Sequence, residues 1–184
     1  MKMHFQKFPM LLVLAAMLLA VPNQGWSDRA PSAAGQDRIA REVRHELVLL
    51  PFYGVFDNLG YTVQGSEVTL TGQVTRPVLK SDAEHAVRRI EGVERVNNEI
   101  EVLPLSPMDD QIRRAEFRAI YGQSNLGRYA MQAVPSIHII VKNGHVTLIG
   151  AVMNEMDRNI ATITAKGVAG VFSVDNNLTI DRNI

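Results

Sequence analysis

The chain contains no cysteine. That removes disulfides, thiolate catalysis, cysteine-bearing metal sites and a lipidated N-terminal cysteine at once. It has no excess charge of either sign: 19 basic and 19 acidic side chains balance over 184 residues. A protein that holds nucleic acid through its phosphates needs a basic surface, so the neutral balance argues against that class of partner. Long apolar runs are scarce as well. The run at residues 10–21, MLLVLAAMLLAV, is about a dozen residues, where a bilayer span needs ~20. It follows Lys2 and Lys7 and is ended by Pro22, Asn23, Gln24 and Gly25. This is the layout of a secretory signal peptide. Gly25 and Ser27 place cleavage after residue 27, so residues 1–27 are expected to be removed and the chain to be periplasmic; the alternative reading is an uncleaved membrane anchor, against which the early end of the run speaks. Catalytic constellations are missing too. His45, His85, His138 and His145 share no ligand spacing, and Ser/His/Asp candidates exist only by composition. No metal, no cofactor and no enzymatic activity are expected.

What is present is written twice. EVTLTGQV at residues 67–74 returns as HVTLIGAV at residues 145–152. Sliding the chain on itself by 78 positions, without gaps, aligns Val68 with Val146, Thr69 with Thr147, Leu70 with Leu148, Gly72 with Gly150 and Val74 with Val152. It then aligns Gly92 with Gly170, Val93 with Val171, Val96 with Val174 and Asn98 with Asn176. Roughly two identities are expected over such a window from ordinary residue frequencies. The matches fall on glycines and on apolar positions of strand period, so a structural unit is repeated.

Each copy gives the same element order. Asn143-Gly144 between two alternating runs predicts a two-residue hairpin, and Gly65-Ser66 does the same in the first copy. A helix follows each hairpin. The first is expected to be capped by Thr75, with Leu79, Ala83, Ala86, Val87 and Ile90 inward. The second is expected to be capped by Asn154, with Met156, Ile160 and Ile163 inward. Third strands are expected at residues 96–102 and 174–180. A helix also precedes each hairpin: residues 37–50 carry Ile39, Val43, Leu47 and Leu50 on one stripe. Ser106-Pro107 with Asp109 starts its counterpart, lined by Ile112, Ala115, Ala119 and Ile120. Beyond these helices Tyr53-Gly54 with Asn58-Leu59-Gly60 rhymes with Tyr121-Gly122 and Asn125-Leu126-Gly127, and residues 128–136 are an insertion in the second copy. The reading is α+β: a tandem repeat of two αββαβ modules, residues 36–103 and 108–181. Each is a small three-stranded mixed sheet with two helices on one face, and a short proline-rich linker holds them close.

V-T-L-x-G-x-V after a turn, then a helix, then G-V-x-x-V-x-N-x-[IL] stands here at residues 68–74 with 92–100, and again at 146–152 with 170–178. In this the chain resembles the BON family, a bacterial module also described as transport-associated and found in osmotically inducible periplasmic proteins. The resemblance implies the αββαβ fold. It also implies attachment to membranes through phospholipid, or protection of the envelope during stress.

Individual residues carry further expectations. Gly72 and Gly150 mark places where a helix packs closely on the sheet. Gly92 and Gly170 end helices in the left-handed conformation. Asn98 and Asn176 satisfy loop backbone groups. Asp109-Asp110 answers the positive end of a helix. Residues 36–103 carry eight basic and eleven acidic side chains, and residues 108–184 eight basic and seven acidic. Within the second copy Arg113, Arg114, Arg118 and Arg128 accompany Leu126, Tyr129 and Met131. Such a basic, amphipathic patch suits an anionic phospholipid surface; the plainer reading is that Leu126, Tyr129 and Met131 cover the core edge. The open face of the second sheet, with Ile140 and Ile149, is a candidate surface for an envelope protein partner.

Overall fold

The computed structural model describes residues 33–182, and the expected signal peptide lies outside them. The first module runs α1 (Ala33–Val48), β1 (Asn58–Gln64), β2 (Glu67–Val74), α2 (Pro77–Arg88), β3 (Arg95–Asn98) and β4 (Glu101–Val102). The second runs α3 (Pro107–Tyr121), a 3-10 turn (Gly127–Ala130), β5 (Ile137–Lys142), β6 (His145–Val152), α4 (Glu155–Lys166) and β7 (Ser173–Ile180). Each sheet has its hairpin antiparallel and its last strand parallel to the central one. The fold is α+β, with two separate mixed sheets and four helices among the described residues. In the first module the last strand is split into β3 and β4, which keep one register: Glu67 faces Arg95 and Gln73 faces Glu101.

The hairpins follow their turn chemistry. Asn143 and Gly144 both take positive φ, +53° and +78°, while the first copy manages with Gly65 at +64°. Each module buries its own core. Ile39, Val43 and Leu47 of α1 meet Leu79, Ala83 and Val87 of α2 over Val68, Leu70 and Val74. The 78-residue repeat also pairs Ala83 with Ala161, both fully buried.

Several sequence expectations are corrected. The helix expected at residues 37–50 spans Ala33–Val48. Gly72 and Gly150, at φ +116° and +122°, do not receive a helix. A Cβ there would lie 2.1 Å from the Asn58 carbonyl oxygen and 2.0 Å from that of Ser136, on the neighbouring strand side of each hairpin. Gly92 and Gly170 are left-handed (φ +88° and +89°) but sit in the turns beyond the helices, whose C-caps Arg89 and Gly167 are right-handed. The equivalence of Asn58 with Ser136 also undoes the Asn-Leu-Gly rhyme: Asn58-Leu59-Gly60 opens β1, while Asn125 and Leu126 lead into the 3-10 turn.

Caps differ between the modules. Asn154 caps α4 through its side chain, which accepts from the Asp157 amide, and Ser106 caps α3 through the Asp109 amide. Thr75 does not cap α2, whose N-cap is Arg76 without a side-chain bond. Its amide and hydroxyl instead donate to Asp57, at 2.7 and 2.8 Å. At the repeat-equivalent position the Met153 amide donates to the Tyr129 hydroxyl at 2.8 Å. Asp109 does more than answer a helix dipole: its carboxylate accepts from the amides of Asn143 and Gly144 at 2.9 and 2.8 Å, tying α3 to the hairpin turn. Asn98 and Asn176 bridge the helix to the last strand, and Asn98 also satisfies a loop amide, that of Ile100 in the break between β3 and β4. Their side-chain amides donate to the helical carbonyls of Lys80 and Arg158, and their oxygens accept from Ile100 and Leu178.

The inward face of α4 is rotated from expectation. Asp157, Ala161 and Ala165 point in, while Met156 is 66% and Ile163 72% exposed. The cause is Asp157, which is drawn under the 3-10 turn by the Tyr129 hydroxyl (2.6 Å), the Asn154 amide (2.9 Å) and Arg128.

Candidate functional site

The two modules meet along a seam. The Ile139 amide donates to the Val55 carbonyl at 2.8 Å, and Val55 and Phe56 pack against the core of the second module. Tyr53 stacks on His138 at 5.7 Å, and Lys142 pairs with Glu101 at 2.5 Å. Ile140, expected on an open face, is only 4% exposed. A cleft of about 460 Å3 lies there, with Gln73, Glu101 and Leu103 of the first module facing Ile140, Thr147 and Ile149 of the second. The first module therefore overhangs this face, and Ile140 is not an accessible apolar surface.

The expected basic patch is also redistributed. Arg113 is 4% exposed: its guanidinium donates to Asp110 and to the Val141 carbonyl, both at 2.6 Å, and pins α3 to β5. Arg128 is spent on the Tyr129 hydroxyl and Asp157, which raise its pKa further. Leu126 and Tyr129 are buried in the second core, while Met131 stands 86% exposed. Of the sequence-nominated cations Arg114 and Arg118 remain exposed, and neither is in an ion pair among the described residues.

These two arginines join residues that sequence reasoning missed. Arg114 and Phe56 line both of two adjoining hollows. One, of about 380 Å3, adds Arg76 and Leu105; the other, of about 400 Å3, adds Val55, Phe117 and Arg118. The Arg76 guanidinium lies 4.8 Å from the centre of the exposed Phe52 ring. Phe52 itself holds φ at +69°, a strained conformation for a bulky residue. Phe52 and Leu105 follow prolines in the connecting segments, outside any helical or strand period, and that displacement was the available signal. Phe117 sits between Phe56 (6.3 Å) and Tyr121 (5.0 Å).

Beneath this face lies Glu116, fully buried, with neither carboxylate oxygen hydrogen-bonded. Burial alone pushes its pKa from 4.5 up to about 7. Its spacing, one turn from both Ile112 and Ile120, was legible. Among the described residues no group of three or more His, Asp or Glu side chains is arranged to hold a metal, and no helix is long and apolar enough to cross a membrane.

The BON domain family model matches residues 36–104 and 109–182. The chain belongs to the BON family. BON domains carry a membrane- or envelope-associated role and are generally non-enzymatic. No curated protein matches the chain. Among solved structures it is similar to CdsD, a structural protein of the type III secretion system of Chlamydia trachomatis, at 13% identity and TM-score 0.31. That match covers 78% of this chain and 92% of the other. The C-terminal domain of CdsD matches at 11% identity and TM-score 0.27, covering 77% and 96%.

Proposed function

We propose that this BON protein is exported to the periplasm, has no enzymatic activity, and binds anionic phospholipid surfaces in protection of the envelope. The contact is made through the seam-side face of α3. One observation carries the reading: Arg76, Arg114 and Arg118, none in an ion pair among the described residues, surround two adjoining hollows whose rims hold Phe56, Leu105 and Phe117, with Phe52 beneath Arg76. Phosphate groups suit the guanidinium fork, and exposed aromatic and aliphatic side chains suit the boundary between headgroups and acyl chains. Each basic residue near such a surface contributes about 1 kcal/mol. The rival use of Ile140 and Ile149 to capture protein partners has less support, since Ile140 is buried and only Ile149 is part-exposed in the cleft.

Co-sedimentation with vesicles tests this. Binding is expected to rise with phosphatidylglycerol content. It should fall by roughly two orders of magnitude when Arg76, Arg114 and Arg118 are all changed to Glu. Binding that is indifferent to lipid charge, or that survives the triple change, would refute the proposal.

A further inference from the structure

The outer face of α4 carries a second apolar surface, remote in sequence from the arginine-lined hollows. Helical spacing puts Met156, Ile160, Ile163 and Gly167 on one stripe, with Met156 and Ile163 largely exposed and Ile160 half-buried. The repeat supplies the comparison. At the equivalent positions of the first module, α2 and its cap read Val78, Asp82, His85 and Arg89. The two helices make the same packing on their own sheets through Ala83 and Ala161. Only the second has an apolar exterior; Ile160 packs partly against the core, while Met156 and Ile163 stand largely outside it.

Charge indicates what covers the stripe. The ionic groups of α4 cancel: Glu155 and Asp157 against Arg158 and Lys166. Asp157 is already committed to Arg128. That leaves Glu155, Arg158 and Lys166, a single net cation, with Arg158 itself paired to Glu155, so an anionic surface gains little. Glu155 and Lys166 instead occupy opposite ends of the helix along one flank of the stripe. We infer that the stripe docks on α4 of a second copy of this chain, antiparallel, about a two-fold axis. In that arrangement Ile160 of each copy faces Ile163 of the other, and Met156 of each lies over the side-chain-free Gly167 of the other. Glu155 and Lys166 meet their opposites twice, because a two-fold contact repeats every pair. The Glu155–Arg158 ion pair within the helix (2.7 Å) is exposed and offers little competition. A single helix pair lies at the small end of interface sizes, so the dimer is weak and concentration-dependent.

Sedimentation equilibrium of the purified protein from about 1 µM to about 500 µM tests this. A monomer–dimer equilibrium is expected. Ile163→Lys should weaken it at least tenfold, about the effect of removing one buried aliphatic side chain. Glu155→Lys or Lys166→Glu should each weaken it about fivefold, and the double swap should restore it. Because these positions are exposed, unchanged thermal unfolding will show that the variants fold. A monomer throughout the range overturns the proposal. So does a dimer indifferent to Ile163→Lys, which places the interface elsewhere, or a double swap that fails to rescue. Vesicle binding lost in Ile163→Lys but kept when Arg76, Arg114 and Arg118 are changed also overturns it, since the stripe then serves a membrane.

Discussion

Tyr53 of the first module and His138 of the second stack across the seam, ring centres 5.7 Å apart and planes 25° from parallel. Burial sets the protonation of both. The Tyr53 hydroxyl is pushed up to about 12, and the His138 imidazole is held below its ordinary 6.5, against a smaller opposing pull from Asp57 and Gly54.

Acidification therefore works against the seam. A histidine with a depressed folded pKa contributes stability above its unfolded value of 6.5, and that contribution is lost as pH falls below it. Thermal unfolding between pH 7 and pH 5 should destabilise the wild type more than His138→Phe, which keeps an aromatic partner for Tyr53 but cannot titrate. Equal pH dependence in the two proteins would contradict the assignment.

Glu116 acts with the opposite sign. Its folded pKa, about 7, lies above the ordinary 4.5, so the folded state binds the proton more tightly. Stability falls as pH rises between those two values. The full ionisation penalty is ~3 kcal/mol. Replacing Glu116 by Val, the residue type of the buried Val43 in α1, should raise urea-unfolding stability by roughly that amount at pH 8. The gain should shrink by pH 5.

Gly150→Ala places a methyl group 2.0 Å from the Ser136 carbonyl oxygen, at a φ that L-residues avoid. The β5–β6 hairpin cannot yield without losing its register. A loss of more than about 3 kcal/mol is expected by chemical denaturation, with Gly72→Ala behaving alike against Asn58.

Tyr129→Phe removes one hydroxyl that accepts from the Met153 amide and donates to Asp157. The amide is left without that partner at the entrance to α4. The expected cost is about 1–3 kcal/mol, measured by urea unfolding, with vesicle binding unchanged.

The duplicated unit was legible because its demands are local. A two-residue turn needs Asn-Gly, a carbonyl pressed against the strand admits only glycine at Gly72 and Gly150, and alternating valines face a helix. Each of these is written within a few residues and written twice. The candidate surface was less legible because it depends on contacts between modules. Helical spacing sets Arg113 seven residues before Ile120, on the inner edge of α3, but no local pattern says that its guanidinium finds the Val141 carbonyl while Arg114 reaches solvent. Ile140 looks open until Glu101 and Leu103 overhang it. In α4 the apolar period suggested Met156 and Ile163 inward, but the polar cluster of Arg128, Tyr129 and Asp157 turned the helix. That cluster draws on the segment after α3, which has no gapless equivalent in the other copy.

The hydrogen bond from Ile139 to the carbonyl of Val55 also bears on ancestry. Tandem duplicates ordinarily remain interchangeable parts that recombination can shuffle or delete. Here one half supplies backbone and two side chains to the interior of the other, so cutting the chain at Pro104 would strand an amide at an apolar surface. The second half on its own would need a substitute for the neighbour that Val55 and Phe56 provide.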